Sequence, residues 1–235
     1  MPLPNNSTTR LPSGVNSFNV DSVFANFPSP GFPSMLYNYF TDFNVYTAGD
    51  WVVTETDAAA TQALTAGSGG LLLITNTAAD NDLVGIQKTP AMLLMDATKQ
   101  TWFSSRFKVS DATQSDVVMG MQVVDTTPLD VTDGIYLLKA DDAATFDVVC
   151  RKNATTGSTS ASAVASLADD TYVQFDWYYD GNGYLYYAVN GTVKGSLSVA
   201  SYFPDTTLTV SFAIQNGAAA AKTMTVDWVG VWQER

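Results

Sequence analysis

The 235-residue chain has no histidine, a single cysteine and only two glutamates. Without imidazole there is no Ser-His-Asp or Cys-His pair, no histidine metal ligand and no ordinary proton shuttle for neutral pH. One cysteine excludes both an internal disulfide and a cysteine-rich zinc site, so the fold must stand on packing. Cys150 falls in the alternating run Phe146, Val148, Cys150, which predicts a small buried hydrophobe and not a reactive thiol. Basic residues are also scarce: 11 Lys and Arg stand against 23 Asp and Glu, for a net charge of −12. They are scattered and not striped, which excludes a phosphate-tracking surface and so a nucleic-acid partner. No apolar run approaches the roughly 18–20 residues of a membrane span. The N-terminal MPLPNNSTTRLPSGVN has no basic stretch followed by an apolar one, so neither signal-directed export nor membrane insertion is expected. The sequons at Asn5, Asn6, Asn153 and Asn190 then follow from a composition rich in Asn, Ser and Thr.

What is abundant is alternation. In Thr171–Gly191, TYVQFDWYYDGNGYLYYAVNG, the residues Val173, Phe175, Trp177 and Tyr179 share one face. Gln174, Asp176 and Tyr178 share the other, the period of two that a half-buried strand requires. Asp180-Gly181-Asn182-Gly183 supplies residues that tolerate positive φ, predicting a tight reversal into Tyr184–Val189. Further strands are predicted at 51–56, 71–76, 83–87, 101–109, 117–125, 134–139, 145–152, 193–199, 208–215 and 223–233. Val117, Met119, Met121 and Val123 form one core face, and Leu208, Val210, Phe212 and Ile214 another. The alanine-rich pieces 57–66 and 218–221 read as a short helical turn or a loop. A dozen or so short strands with Gly, Asp, Asn and Thr at the joints predict an all-β, two-sheet antiparallel sandwich over residues 36–235. Residues 1–35 hold six of the nine prolines and read as an extended N-terminal arm. Phe18, Val20, Val23, Phe24, Phe27 and Phe32 make this arm more apolar than a free tail, so it is expected against a surface, its own sandwich or a neighbouring subunit.

Four phrases, in order along the chain, carry a resemblance. Gly69-Gly70-Leu71-Leu72-Leu73-Ile74, Trp102-Phe-Ser-Ser-Arg106-Phe-Lys-Val109, Phe175-Asp-Trp177 with Tyr186-Tyr187-Ala-Val-Asn190-Gly191, and Met224-Thr-Val-Asp-Trp-Val-Gly-Val-Trp232 resemble strands of concanavalin A-like jelly rolls, including laminarinase-like glucanases. The resemblance covers about residues 45–233 and implies that fold. The glucanases cleave with a Glu-x-Asp-x-x-Glu strand whose alternate carboxylates share a face. Here Glu55, in Thr54-Glu-Thr-Asp57, and the penultimate Glu234 do not reproduce it, so no catalytic residue is expected. Aspartates cluster at Asp80-Asn-Asp82, Asp130–Asp133, Asp141-Asp142, Asp169-Asp170 and Asp180-Gly-Asn182. All sit where turns are expected and none has the spacing of a known calcium loop, so turn formation is the first expectation and a structural Ca²⁺ the alternative. No cofactor and no metal ligand is assigned.

In general character the whole chain resembles the decoration, or cement, and head-fibre proteins of tailed bacteriophages. That resemblance implies a non-catalytic virion protein on the outer capsid surface, a homo-oligomer with a trimer favoured, gripping the major capsid protein through the arm residues Phe18 to Phe32. The alternative is a carbohydrate-binding module or lectin-like adhesin, with Trp51, Tyr178, Tyr184, Tyr186 and Trp232 as glycan-facing aromatics. A degenerate, aspartate-only glycosidase is the third reading.

Overall fold

The computed structural model describes residues 36–156 and 161–235. The expected arm, with Phe18, Val20, Val23, Phe24, Phe27 and Phe32, lies outside the described residues. Two antiparallel sheets pack face to face. The first has eight strands: β1 (Leu36–Thr41), β3 (Thr61–Thr65), β4 (Leu71–Thr75), β7 (Gln100–Val109), β13 (Val173–Asp180), β14 (Tyr184–Val189), β15 (Thr192–Ser198) and β17 (Thr223–Glu234). Their order is β15-β14-β13-β7-β17-β4-β3, and β1 pairs with the length of β17 beyond β4. The second has nine: β2 (Trp51–Glu55), β5 (Leu83–Lys88), β6 (Leu93–Leu94), β8 (Ser115–Gln122), β9 (Gly134–Lys139), β10 (Thr145–Lys152), β11 (Thr155–Thr156), β12 (Ala161–Ser166) and β16 (Thr207–Asn216). Here the order is β11-β10-β9-β8-β16-β5-β2, with β12 against β10 and β6 against β16. A three-residue 3-10 turn, Ala48–Asp50, is the one helical element among the described residues. None of their helices is long and apolar enough to cross a membrane.

Alternation decides what lies between the sheets. Phe103, Phe107, Phe175, Trp177, Tyr179, Leu185, Val226 and Val231 point inward from the first sheet. Val117, Met119, Met121, Ile135, Leu137, Phe146, Val148, Cys150, Leu208, Val210, Phe212 and Ile214 meet them from the second. Cys150 is fully buried, and burial pushes its thiol well above the usual range, as its place in an apolar run predicts. The hairpin Thr171–Gly191 forms as expected. Asp180 Oδ1 accepts from the N–H groups of Asn182 and Tyr184 at 2.7 and 3.0 Å, and Gly181 and Gly183 take positive φ. At the next reversal Asn190 and Gly191, both with positive φ, make the two-residue connection between Val189 and Thr192 whose twist suits paired strands.

Two alanine-rich pieces resolve differently. Residues 218–221 are a bend, but 57–66 contain strand β3, exposed along the sheet edge and therefore without an apolar stripe to announce it. Several of the clustered aspartates bind loop and turn groups: besides Asp180, Asp82 accepts from Thr77 N–H and the Thr56 hydroxyl, Asp133 from Asn153 N–H and Asp169 from Ala112 N–H. Outside the clusters Asp96, Asp111 and Asp125 each accept an N–H from two residues ahead. Among the described residues no three acidic or sulfur side chains gather in a way that would hold a metal ion.

Asn216 ties the Thr77–Ala79 loop to the end of β16. Its Nδ2 donates to the Thr77 and Ala79 carbonyls, both at 2.8 Å, and its Oδ1 accepts from Asn76 Nδ2 at 3.2 Å. Asn216→Ala strands two carbonyls and is expected to lower unfolding free energy by about 2–3 kcal/mol in denaturant melts; an unchanged midpoint would count against this tie.

Candidate functional site

The outward faces of the two sheets differ. On the second sheet, Val118, Tyr136, Val149 and Ala213 face away from the core, yet they are buried because the β8–β9 loop folds back and seats Leu129 and Val131 on them. Gln87 holds that loop, donating to the Val123 carbonyl and accepting from Asp125 N–H. Gly85 makes room for it: a Cβ there would meet Pro128 Cγ at 2.7 Å. This face is closed.

The first sheet presents aromatics instead. Cross-strand register places Asn38, Trp232, Trp102, Tyr178, Tyr186 and Ser196 in one transverse row over β1, β17, β7, β13, β14 and β15. Trp102 and Tyr178 stack with ring centroids 5.2 Å apart and planes 22° apart; Tyr178 and Tyr186 follow at 6.0 Å and 22°. One row further along β14, Tyr184 is 47% exposed and pairs with the exposed Ser198. The row on the other side reads Gly230, Ser104, Asp176 and Ala188. Beyond it Arg106 pairs with Asp227 and lays its guanidinium 4.1 Å from the Tyr172 ring, so these charges are matched.

Burial grades this face. Trp102 and Tyr178 are 3% and 4% exposed, Trp232 and Tyr186 are half-buried, and Tyr184 stands in solvent. Desolvation, with the Asp180 charge second, pushes the Tyr178 phenol up to about 12. Asp176 is 1% exposed; it accepts from the Ser104 hydroxyl and, at 3.1 and 3.0 Å, from Gln174 Nε2. Desolvation outweighs those hydrogen bonds and raises its carboxyl to about 7.

Four of the five aromatics expected to face a glycan, Tyr178, Tyr184, Tyr186 and Trp232, thus share one face. Two corrections follow. Trp51 lies in the core, its ring centroid 5.5 Å from Phe212 and 6.0 Å from Phe43, so it is not a platform. Tyr178 is not solvent-exposed but the buried middle of the row. Trp102 is absent from the residues singled out by sequence, although its phase announces it: in Trp102-Phe103-Ser104-Ser105-Arg106 it alternates with the core residue Phe103 and keeps step with Arg106. A cleft of about 240 Å³ opens beside β1, where Arg235 sits 4.1 Å over the Tyr37 ring. The two glutamates do not meet. Glu55 lies on β2 of the second sheet and accepts from Gln62 at 3.4 Å, whereas Glu234, at the end of β17 in the first, accepts from Gln100 N–H.

No family model matches the chain, and no curated protein matches it. Solved structures do. The Emp47p carbohydrate recognition domain superposes with a TM-score of 0.59 at 15% identity, over 84% of this chain and 96% of that one. Peanut lectin gives 0.55 at 13%, over 84% and 97%. The sandwich is a concanavalin A-like jelly roll. An endo-β-1,4-glucuronan lyase from the fungus Trichoderma reesei shares the jelly roll too, with a TM-score of 0.55 at 9% identity over 83% and 94% of the two chains. At such identities the likeness establishes the architecture alone, and a jelly roll hosts lectins and enzymes alike.

Proposed function

We propose that this jelly roll is a non-catalytic carbohydrate-binding module whose contact surface is the Tyr184 and Tyr186 end of the aromatic row. One observation carries the reading: two accessible phenol rings on β14 are flanked, in register, by the exposed hydroxyls of Ser196 and Ser198 on β15, with Asp180 on the neighbouring β13. A pyranose presents an apolar C–H face and a rim of hydroxyls, so it stacks on such rings while Ser and Asp oxygens take the rim. The buried Trp102 and Tyr178 behind hold Tyr186 in place, so little ordering entropy is spent on binding. The net charge of −12 favours a neutral sugar over a polyuronate. The separated glutamates favour binding without cleavage, and at the level of fold the carbohydrate recognition domains among the structural neighbours support it.

A glycan array followed by calorimetry tests this. Tyr184→Ala and Tyr186→Ala are each expected to weaken binding by about tenfold or more, the cost of one good stacking contact. Leu94→Ala, an exposed residue on the other sheet, is expected to leave it unchanged. No glycan retained, or both tyrosine variants binding as the parent does, would overturn the reading.

A second reading is decoration of a phage capsid, as a homotrimer on the outer virion surface bound to the major capsid protein. It is favoured by Phe40, 54% exposed on β1 and 6.4 Å from the Trp228 ring, an apolar patch beside a strand edge that pairs with no described strand. Co-sedimentation with purified virions is its expected result, and recovery only as a free monomer would sink it.

A further inference from the structure

We propose that the sugar held at the Tyr184 and Tyr186 end is an amine-bearing one, a glucosamine-type pyranose whose protonated amine is read by Asp180 and Glu234. The assignment rests on the glycan reading above and carries its charge argument one step further. Two residues along each strand from the aromatic row, and so on the same face, stand Glu234 on β17, Gln100 on β7, Asp180 on β13, Tyr184 on β14 and Ser198 on β15. Asp180 pairs in register with Gln100, and Tyr184 with Ser198. Side chains close the remaining steps: Glu234 Oε2 accepts from Gln100 N–H at 3.0 Å, and Asp180 Oδ1 accepts from Tyr184 N–H at 3.0 Å. An exposed phenol thus stands in line with two carboxylates across the sheet.

No ion pair among the described residues includes Asp180 or Glu234. At the other end of the same face the charges are matched, Arg106 with Asp227 and Lys108 with Asp170. The cations nearest in sequence are engaged elsewhere: Arg235 lies over the Tyr37 ring, and the charge of Lys99 acts on Asp96. The fields of the two carboxylates converge on the aromatic row. After desolvation, Asp180 and Glu234 are the next causes that push the Tyr178 phenol up, and every charge acting on it works in that direction. Each carboxylate is part-exposed and keeps an oxygen for a ligand, because the turn uses only Asp180 Oδ1 and the β7 contact only Glu234 Oε2. Such a pair repels an acidic sugar and draws a cation, and the faces of Tyr184 and Tyr186 attract one as well. A protonated sugar amine meets both demands while its ring still stacks. The strands of Asp180 and Glu234 are separated by β7, which puts the two carboxylates about 10 Å apart. Two amines of one oligomer then engage at once, so affinity rises with chain length.

Calorimetry with β-1,4-linked tetramers of glucosamine, of N-acetylglucosamine and of glucose tests this at low and at physiological salt. The glucosamine tetramer is expected to bind about tenfold more tightly than the other two, with an advantage that shrinks as salt rises. Asp180→Asn and Glu234→Gln remove charge but keep an acceptor oxygen for Tyr184 N–H and Gln100 N–H, and an unchanged near-ultraviolet circular dichroism spectrum shows that each variant folds. Each is expected to lower affinity for the glucosamine tetramer by about fivefold and to narrow its lead over the acetylated one. Glu55→Gln makes the same change in net charge on the other sheet and is expected to leave affinity unchanged. A loss in Glu55→Gln equal to that in Asp180→Asn would overturn the proposal, because overall charge and not this site would then attract the amine. Acetylated or glucose tetramers that bind as tightly as the glucosamine one would overturn it too, and leave the glycan reading standing. If none of the tetramers binds, the amine assignment falls, and the glycan reading falls with it only if the array also retains nothing.

Discussion

Trp177→Ala is expected to destabilise the domain by about 3–5 kcal/mol, the cost of deleting a large aromatic from a packed core. Trp177 is fully buried in the middle of β13, with its ring centroid 5.7 Å from Phe103 and the planes 11° apart. Phe103 sits on the neighbouring strand in direct register, so loss of the indole opens a cavity beneath the two strands that also carry Trp102 and Tyr178. The indole N–H has no hydrogen-bond partner among the described residues. Trp177→Phe therefore keeps most of the contact without stranding an acceptor, and is expected to cost well under half as much as the alanine change. Chemical denaturation of the two variants checks this. Equal losses would mean that an unseen hydrogen bond of the indole, and not its packing, holds the site.

How much of this could be read from residues alone follows from what is local. The β13–β14 hairpin was legible because strand alternation and the Asp-Gly-Asn-Gly turn sit within twenty residues of each other. Strands β1 and β3 were not: each lies along a sheet edge with mostly exposed side chains, so neither has the buried stripe from which a strand is recognised. Alternation also told which face Tyr178 takes, but not what lies beside it. Trp102 and Trp232 become neighbours only through pairing across 130 residues, and no local pattern encodes that register. Tyr178 was expected in water because it points away from the core. Its burial depends on what lies above the sheet, which periodicity within a strand does not report. Trp51 misled in the opposite sense, since a tryptophan beginning an edge strand reads as exposed, yet β2 turns it onto Phe212.

Asp176→Asn is expected to stabilise the protein at pH 8 and to leave it nearly unchanged at pH 4. The folded carboxyl titrates at about 7, mainly because burial disfavours its charged form, against 3.8 for the ordinary group. Between these values the folded protein holds a proton that the unfolded chain has released. Stability therefore falls as pH rises across this window, by about 1.4 kcal/mol per pH unit, and the loss is complete above pH 7. The width of that window sets an upper bound of about 4 kcal/mol for the gain from asparagine at pH 8. The exchange is close to isosteric: Asn Oδ1 still accepts from the Ser104 hydroxyl, and a flip of the Gln174 amide offers its oxygen to the new Nδ2. On β14 the facing residue is Ala188, so no cation from that side compensates the carboxylate. Urea melts of parent and variant at pH 4, 5, 6, 7 and 8 read the effect directly. Curves that diverge steadily up to pH 7 and then run parallel are the expected result. A constant offset at every pH would show that Asp176 stays ionised and hydrated, and that the centre of the aromatic row is open to water.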